Sequence, residues 1–220
     1  WDLTKPMIEI VLTTPPEQIF NNKLNSYAHK ADIIRLQKLI EFGGIYLDID
    51  IWTNKSYENL LNTNKSCIMG LQATNTQFEG LCNAVILAKP NSEFLKIWLE
   101  NYKTFNNTQW DLHSVYLPYH LSKEYSHLID IKSQELFFPV SWWEFDILFK
   151  NNQINIENKN LLNNSYCLHL WESHLMENFL DKLNPIYFYI YNTPLSNIFN
   201  KYITYKSPIL FVIQDLNQNF

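Results

Sequence analysis

The sequence predicts an α/β domain with a mainly parallel central sheet flanked by helices, built as one unit over residues 1–220. Three observations lead there. Apolar runs of strand length alternate along the chain with stretches whose apolar residues recur at helical spacing. Hydrophobic residues make up 46% and charged residues 18%, the composition of a folded protein rather than a disordered one. At 220 residues with only 4 glycines, the chain can bury one sizeable core and is not dominated by loops.

The elements follow in order. "MIEIVLTTPP" reads as a short strand closed by Pro15-Pro16. A helix is expected from about Tyr27 to Phe42, because Ile33, Leu36, Leu39 and Ile40 share a face and Gly43 stands where a left-handed cap belongs. "IYLDID" then alternates with period two. Ile45, Leu47 and Ile49 point one way, and Tyr46, Asp48 and Asp50 the other, so both carboxylates leave the same side of one strand end. "SCIMGLQA" and "NAVILAKP" read as buried strands, with Lys89-Pro90-Asn91 turning into the helix "SEFLKIWLENYKTF". Residues 106–135 are mixed and aromatic, and "ELFFPVSWWEF" reads as a Pro-terminated apolar strand. "NNQINIENKNLLNNS" is polar and expected to be a surface loop, "SYCLHLWESHL" a strand followed by a polar turn. The last 40 residues are Tyr-rich without a clear period.

Composition excludes several classes. A net charge of −5 gives no basic footprint for nucleic acid. Cys67, Cys82 and Cys167 have no paired spacing, so neither a thiolate metal motif nor a disulfide framework is expected. That usage favours a reducing compartment and a cytoplasmic, bacterial or viral, setting. No apolar run approaches the ~20 residues of a membrane span. Because the chain starts at Trp1 rather than Met, removal of an N-terminal piece is expected; an anchor there would imply membrane association and a Golgi-type lumen.

The chemistry concentrates in "ADIIRLQKLIEFGGIYLDIDIW". Two hard oxygen ligands on one side of a backbone, Asp48 and Asp50, can hold Mn²⁺ or Mg²⁺, and the cation compensates their mutual repulsion. A lone Asp-x-Asp also arises by chance among 22 acidic residues, as a solvated strand end. Asp32 and Arg35, three apart, share a helix face. They read either as a surface ion pair worth under ~1 kcal/mol or as an acid and a guanidinium presented together near the cation site. Gly43-Gly44 folds that face back toward Asp48 and Asp50.

Taken together, this stretch resembles the DXD-containing sugar-binding region of family 32-like glycosyltransferases. That group includes α-mannosyl- and α-galactosyltransferases, and the large glucosylating toxins carry a related motif. The close match covers about residues 27–57, the donor- and metal-binding core, and a looser one runs through "GLCNAVILAKPNSEFL". The resemblance implies a GT-A type nucleotide-sugar-binding fold, whose first strand would precede this chain. It implies a retaining transfer of a hexose from a UDP- or GDP-sugar to a glycan, lipid or protein acceptor, with Mn²⁺ (or Mg²⁺) as cofactor. Carried over residue by residue, Asp50 is the direct metal ligand, and Asp48 contacts the metal, the ribose or the donor sugar. Asp32 and Arg35 grip donor hydroxyls and the adjacent phosphate, with Arg35, Asp48 and Asp50 as the catalytic set. Tyr46 and Ala31 support the nucleotide, and Asn83 approaches the donor sugar.

"YCLHLWESH" resembles the family's His-x-Trp segment. His169 would be a third metal ligand or a diphosphate contact. Trp171 would cover the diphosphate or sugar, with its indole N–H free to donate to a leaving oxygen. A histidine beside aromatics equally suits a satisfied core position. Glu172 reads more readily as a solvated turn carboxylate than as an acceptor contact, and His113, His120, His127 and His174 show no ligand spacing. Where relatives carry a Gly-Pro element this chain reads "NTQWDLHSVYLPYH", which leaves the acceptor side, about residues 100–165, unassigned. Two rivals remain. A metal-dependent phosphohydrolase would need a second carboxylate cluster, and the sequence offers none. A non-catalytic sugar- or nucleotide-binding module descended from a transferase would be expected to have lost part of the Asp-Arg-Asp-Asp set.

Overall fold

A computed structural model describes residues 11–73, 79–150, 162–172 and 179–200. After a two-rung antiparallel hairpin, β1 (Gln18–Ile19) and β2 (Asn22–Lys23), comes the helix α1 (Tyr27–Phe42). Ser26 caps it, its hydroxyl accepting from the His29 N–H at 3.1 Å. Its buried face carries Ile33, Leu36 and Leu39, as the spacing predicts, but also His29, Asp32 and Arg35. At its end Gly43 takes φ +67°, and a Cβ there would lie 2.5 Å from Cδ of Pro90, so only glycine suits the turn. The Gly43 N–H still closes the helix by donating to the Leu39 carbonyl at 2.9 Å.

β3 (Gly44–Leu47) follows, then the short β4 (Ile51–Thr53), β5 (Cys67–Ala73) and β6 (Glu79–Ala88). Next come α2 (Glu93–Glu100), α3 (Leu117–Glu124), β7 (Ile129–Lys132), α4 (Gln134–Phe137) and β8 (Cys167–His169), before helical turns at Pro185–Ile190 and Pro194–Phe199. The main sheet runs β3-β6-β5-β7. β6 is antiparallel to both neighbours and only β5 and β7 are parallel, so the described sheet is mixed, not mainly parallel. The continuous apolar runs that suggested parallel strands are real, but their cause is burial on both faces. Consecutive strands linked only by residues 74–78 can pair antiparallel, whereas a parallel neighbour needs a long crossover.

Alternation sorts the strand residues between two cores. Cys67, Met69 and Ile86 join Ile33, Leu36, Phe94 and Trp98 on the helical face. Ile68, Val85 and Leu87 join Phe137, Phe138, Leu168 and Trp171 on the other. The stretch "ELFFPVSWWEF" is not a strand. It enters as the turn of α4, and Phe137, Phe138 and Val140 are buried as irregular core filling, since an apolar run reports burial and not period. The helix expected from Ser92 stops at Glu100 and continues as a 3₁₀ turn, Asn101–Thr104.

Residues 11–16 hold no regular structure, and the rest of the strand expected there lies outside the described residues. So do most of the polar loop at 151–165 and the end of the chain. All three cysteines are buried and unpaired. Among the described residues, no helix is long and apolar enough to cross a membrane.

Candidate active site

Strand β3 ends at Leu47, earlier than the alternation predicts. The Asp48 N–H makes a last contact to the Ala84 carbonyl at 2.9 Å, and the Ile51 N–H donates back to the Asp48 carbonyl at 3.0 Å. This tight turn throws Ile49 fully into solvent, while Asp48 and Asp50 stay half-buried. β4 then pairs antiparallel with β8, setting Ile51 opposite His169. The ladder delivers an imidazole to the Asp-x-Asp turn: His169 Nε2 lies 3.2 Å from Asp50 Oδ2. Trp171, at φ +49°, turns the chain so that the Glu172 N–H also donates to Asp50 Oδ2, at 2.9 Å. Burial would raise the Asp50 carboxyl, but the His169 hydrogen bond and charge and the Glu172 N–H outweigh it and hold it below the usual range.

A second network sits beside the first. The Arg35 guanidinium reaches Asp32 Oδ1 at 3.3 Å and Asp48 Oδ1 at 3.2 Å. It also donates to the Asn83 carbonyl at 2.8 Å and lies 4.6 Å over the Tyr46 ring. The Asn83 amide donates to Asp32 Oδ1 at 2.7 Å, and the Tyr46 hydroxyl to Asp48 Oδ1 at 2.6 Å. Asp32 and Arg35 are each only 6% exposed, so they are not a surface ion pair. Burial lifts the Asp32 carboxyl above its ordinary value, opposed by Arg35 and Asn83. Burial pulls the other way on Arg35, but Asp32 and Asp48 outweigh it and keep the guanidinium charged. Tyr46 is likewise pushed up, first by burial and then by Asp48 beside it.

The two networks open into one cavity of about 580 Å³. One ligand atom from each of Asp48, Asp50 and His169 lies within 4.8 Å of the others. This oxygen and imidazole set suits a divalent cation of the Mn²⁺ or Mg²⁺ kind. The 3.2 Å between Asp50 and His169 is close to the ~3 Å edge of an octahedron with ~2.1 Å bonds.

Of the residues singled out from sequence, Asp32, Arg35, Tyr46, Asp48, Asp50, Asn83, His169 and Trp171 all line this cavity, with Ala31 and Glu172. Two details differ from expectation. The Trp171 indole N–H is committed to the Val140 carbonyl at 3.0 Å, so it is not free to donate to a ligand. Its ring instead backs His169, with centroids 3.9 Å apart. Asn83 gives its side-chain N–H to Asp32 and its main-chain carbonyl to Arg35, which makes it a holder of that pair.

His113 is a core residue, packed on Tyr102 and Phe105 with Nε2 3.3 Å from the Thr104 hydroxyl. Burial depresses its pKa. His174 lies outside the described residues. The cavity also gathers His29, Gln72, Trp110, Asp111, Ser114 and Trp142, which sequence reasoning did not select. For His29 a signal existed: it stands three residues before Asp32 on the same helix face.

Comparison with known proteins places the sequence beside glycosyltransferases. A family model described as the glycosyltransferase sugar-binding region containing the DXD motif matches residues 4–67. A second, the alpha 1,4-glycosyltransferase conserved region, matches residues 87–193. The chain is 37% identical over 192 residues to "Glucan organizing enzyme 1" of Cryptococcus neoformans var. grubii, covering 84% of this chain and 51% of that protein. It is 26% identical over 153 residues to the lactosylceramide 4-alpha-galactosyltransferases of Mus musculus and Rattus norvegicus, covering 64% of this chain and 40% of theirs. The chain thus spans about half, or less, of the length of these relatives.

Proposed function

This chain is a glycosyltransferase-family protein, carrying the DXD sugar-binding region followed by the alpha 1,4-glycosyltransferase conserved region, and from that premise we propose a metal-dependent, retaining hexosyltransferase of GT-A type. It would take a hexose from a UDP- or GDP-sugar and pass it to a glycan, lipid or protein acceptor. The single observation that carries this reading is the meeting of Asp48, Asp50 and His169 beside the β4–β8 ladder, in the lining of the cavity that also holds Asp32 and Arg35.

Asp50 and His169, with Asp48 beside them, would hold the cation, which when bound neutralises charge on the departing diphosphate. Arg35 is locked between Asp32 and Asp48, so its positive charge is fixed before substrate arrives and adds preorganised electrostatic support. Asp32 uses Oδ1 for both Asn83 and Arg35, and its second carboxylate oxygen would accept from a donor hydroxyl. In front-face transfer the bond between the anomeric carbon and the diphosphate oxygen breaks as the acceptor oxygen bonds that carbon. The acceptor proton passes to the departing diphosphate, so no protein base is required.

The test is calorimetric titration with UDP- and GDP-sugars, with and without Mn²⁺, together with donor hydrolysis using water as acceptor. Metal-dependent binding, hydrolysis abolished by chelator, and loss of both in Asp50→Asn are the expected results. Turnover that is unchanged by chelator would overturn the proposal.

A further inference from the structure

His29 is the unexplained group in the cavity wall. It is 4% exposed, and neither ring nitrogen has a hydrogen-bond partner among the described residues. A buried polar ring left so is destabilising, and such groups in a native protein call for an explanation. Its neighbours are aromatic: Phe105 meets it edge-on at 5.0 Å, and Trp110 covers it at 5.3 Å. Trp110 itself is 59% exposed, and Asp111 and Ser114 follow it into the same cavity.

Trp110 and Asp111 lead into a π-helical turn, Leu112–Tyr116, which carries Ser114 and in which the Asp111 carbonyl accepts from both the Val115 and Tyr116 N–H groups. The wide turn is seated against β6 at Gly80, where a Cβ would come within 2.3 Å of Val115 Cγ1. Such turns inside helices are frequent at functional sites.

We infer that His29, with Trp110, Asp111 and Ser114, forms a subsite for the hexose ring of the donor; this rests on the transferase reading above. The chemistry matches a sugar. An exposed indole offers an apolar platform for ring C–H groups, and the carboxylate and hydroxyl accept from or donate to ring hydroxyls. The imidazole offers two ring nitrogens to pair with a sugar hydroxyl, which can both donate and accept. Placement favours the donor hexose: His29 and Asp32 project from one face of α1 and line the cavity together. A hexose held by Asp32 would therefore have its next hydroxyl beside His29. Bound sugar would supply the partner that the fold withholds from this ring.

His29→Phe keeps the ring and removes both nitrogens. In the absence of ligand its melting temperature should equal or exceed wild type, since an unsatisfied polar group has gone. Affinity for Mn²⁺ and the nucleoside diphosphate alone should be unchanged, while affinity for the nucleotide sugar falls about 10-fold. His29→Gln, which keeps a donor and an acceptor, should recover part of that loss. In the wild type, the His29 ring resonances should shift on adding the nucleotide sugar but not the nucleoside diphosphate.

A lower melting temperature with unchanged sugar affinity would make His29 structural and overturn the inference. So would a change confined to acceptor KM, which would assign the subsite to the acceptor. Absence of metal-dependent binding of any nucleotide to the wild-type chain would overturn the transferase reading itself, and this subsite with it.

Discussion

Arg35 shows how far a single residue can be read from sequence. Its partnership with Asp32 was legible from the three-residue spacing, but its burial was not, because a surface pair and a buried one look alike in a string of letters. Depth changes the energetics. Removing a buried guanidinium that serves two carboxylates leaves the buried Asp32 and the half-buried Asp48 without their partner, so Arg35→Ala should destabilise the fold by about 3–5 kcal/mol. Chemical denaturation of the metal-free protein measures this, and a loss under 1 kcal/mol would show that the network is solvated. Asp50 gives a pH signature of the opposite kind to Asp32. Its folded pKa lies below the ordinary value, so its pairing with His169 and Glu172 stabilises above the unfolded carboxylate pKa of ~3.9 and is lost as pH falls through the folded value. In metal-free protein, the stability difference between wild type and Asp50→Asn should therefore shrink toward zero below about pH 4. The indole of Trp171 was misjudged for a definable reason: its partner, the Val140 carbonyl, is 31 residues away in sequence, and no local pattern announces it.

At the scale of elements, α1 was legible to its ends because two independent signals agree, the apolar period and the glycine after Phe42. Gly43 has a measurable role there. Gly43→Ala combines a left-handed backbone with a clash against Pro90, and should cost about 1–3 kcal/mol, detectable as a drop in melting temperature. A neutral result would mean that the Pro90 turn can shift freely. The Asp-x-Asp stretch was legible as chemistry but only partly as structure. Period two placed both carboxylates on one side, yet the chain turns after Leu47, and it is the turn that pushes Ile49 out and holds the acids in. α4 was illegible because Phe137 and Phe138 are buried whatever backbone carries them, and hydrophobicity alone does not choose between helix and strand.

For the molecule as a whole, the continuous apolar runs of β5 and β6 told correctly that these strands are buried, while strand direction depends on connections that hydropathy does not encode. The two cores enclose every thiol: Cys67 on the helical face, Cys82 and Cys167 on the other. Burial pushes Cys82 up to about 12 and Cys167 up to about 11, so the reactive thiolate is scarce at neutral pH. A thiol reagent should label none of the three in the native protein and all of them after denaturation, on the timescale of unfolding; rapid native labelling would contradict the packing described. The β4–β8 ladder has a further consequence, in time rather than in space. Glu172 meets Asp50 across 122 residues of sequence, and His169 arrives with it. During synthesis the emerging chain carries both aspartates and the whole Arg35 network long before it carries the imidazole. Until β8 docks, Asp48 and Asp50 stand without the imidazole that completes their group, so binding of a divalent cation would report the closing of this ladder.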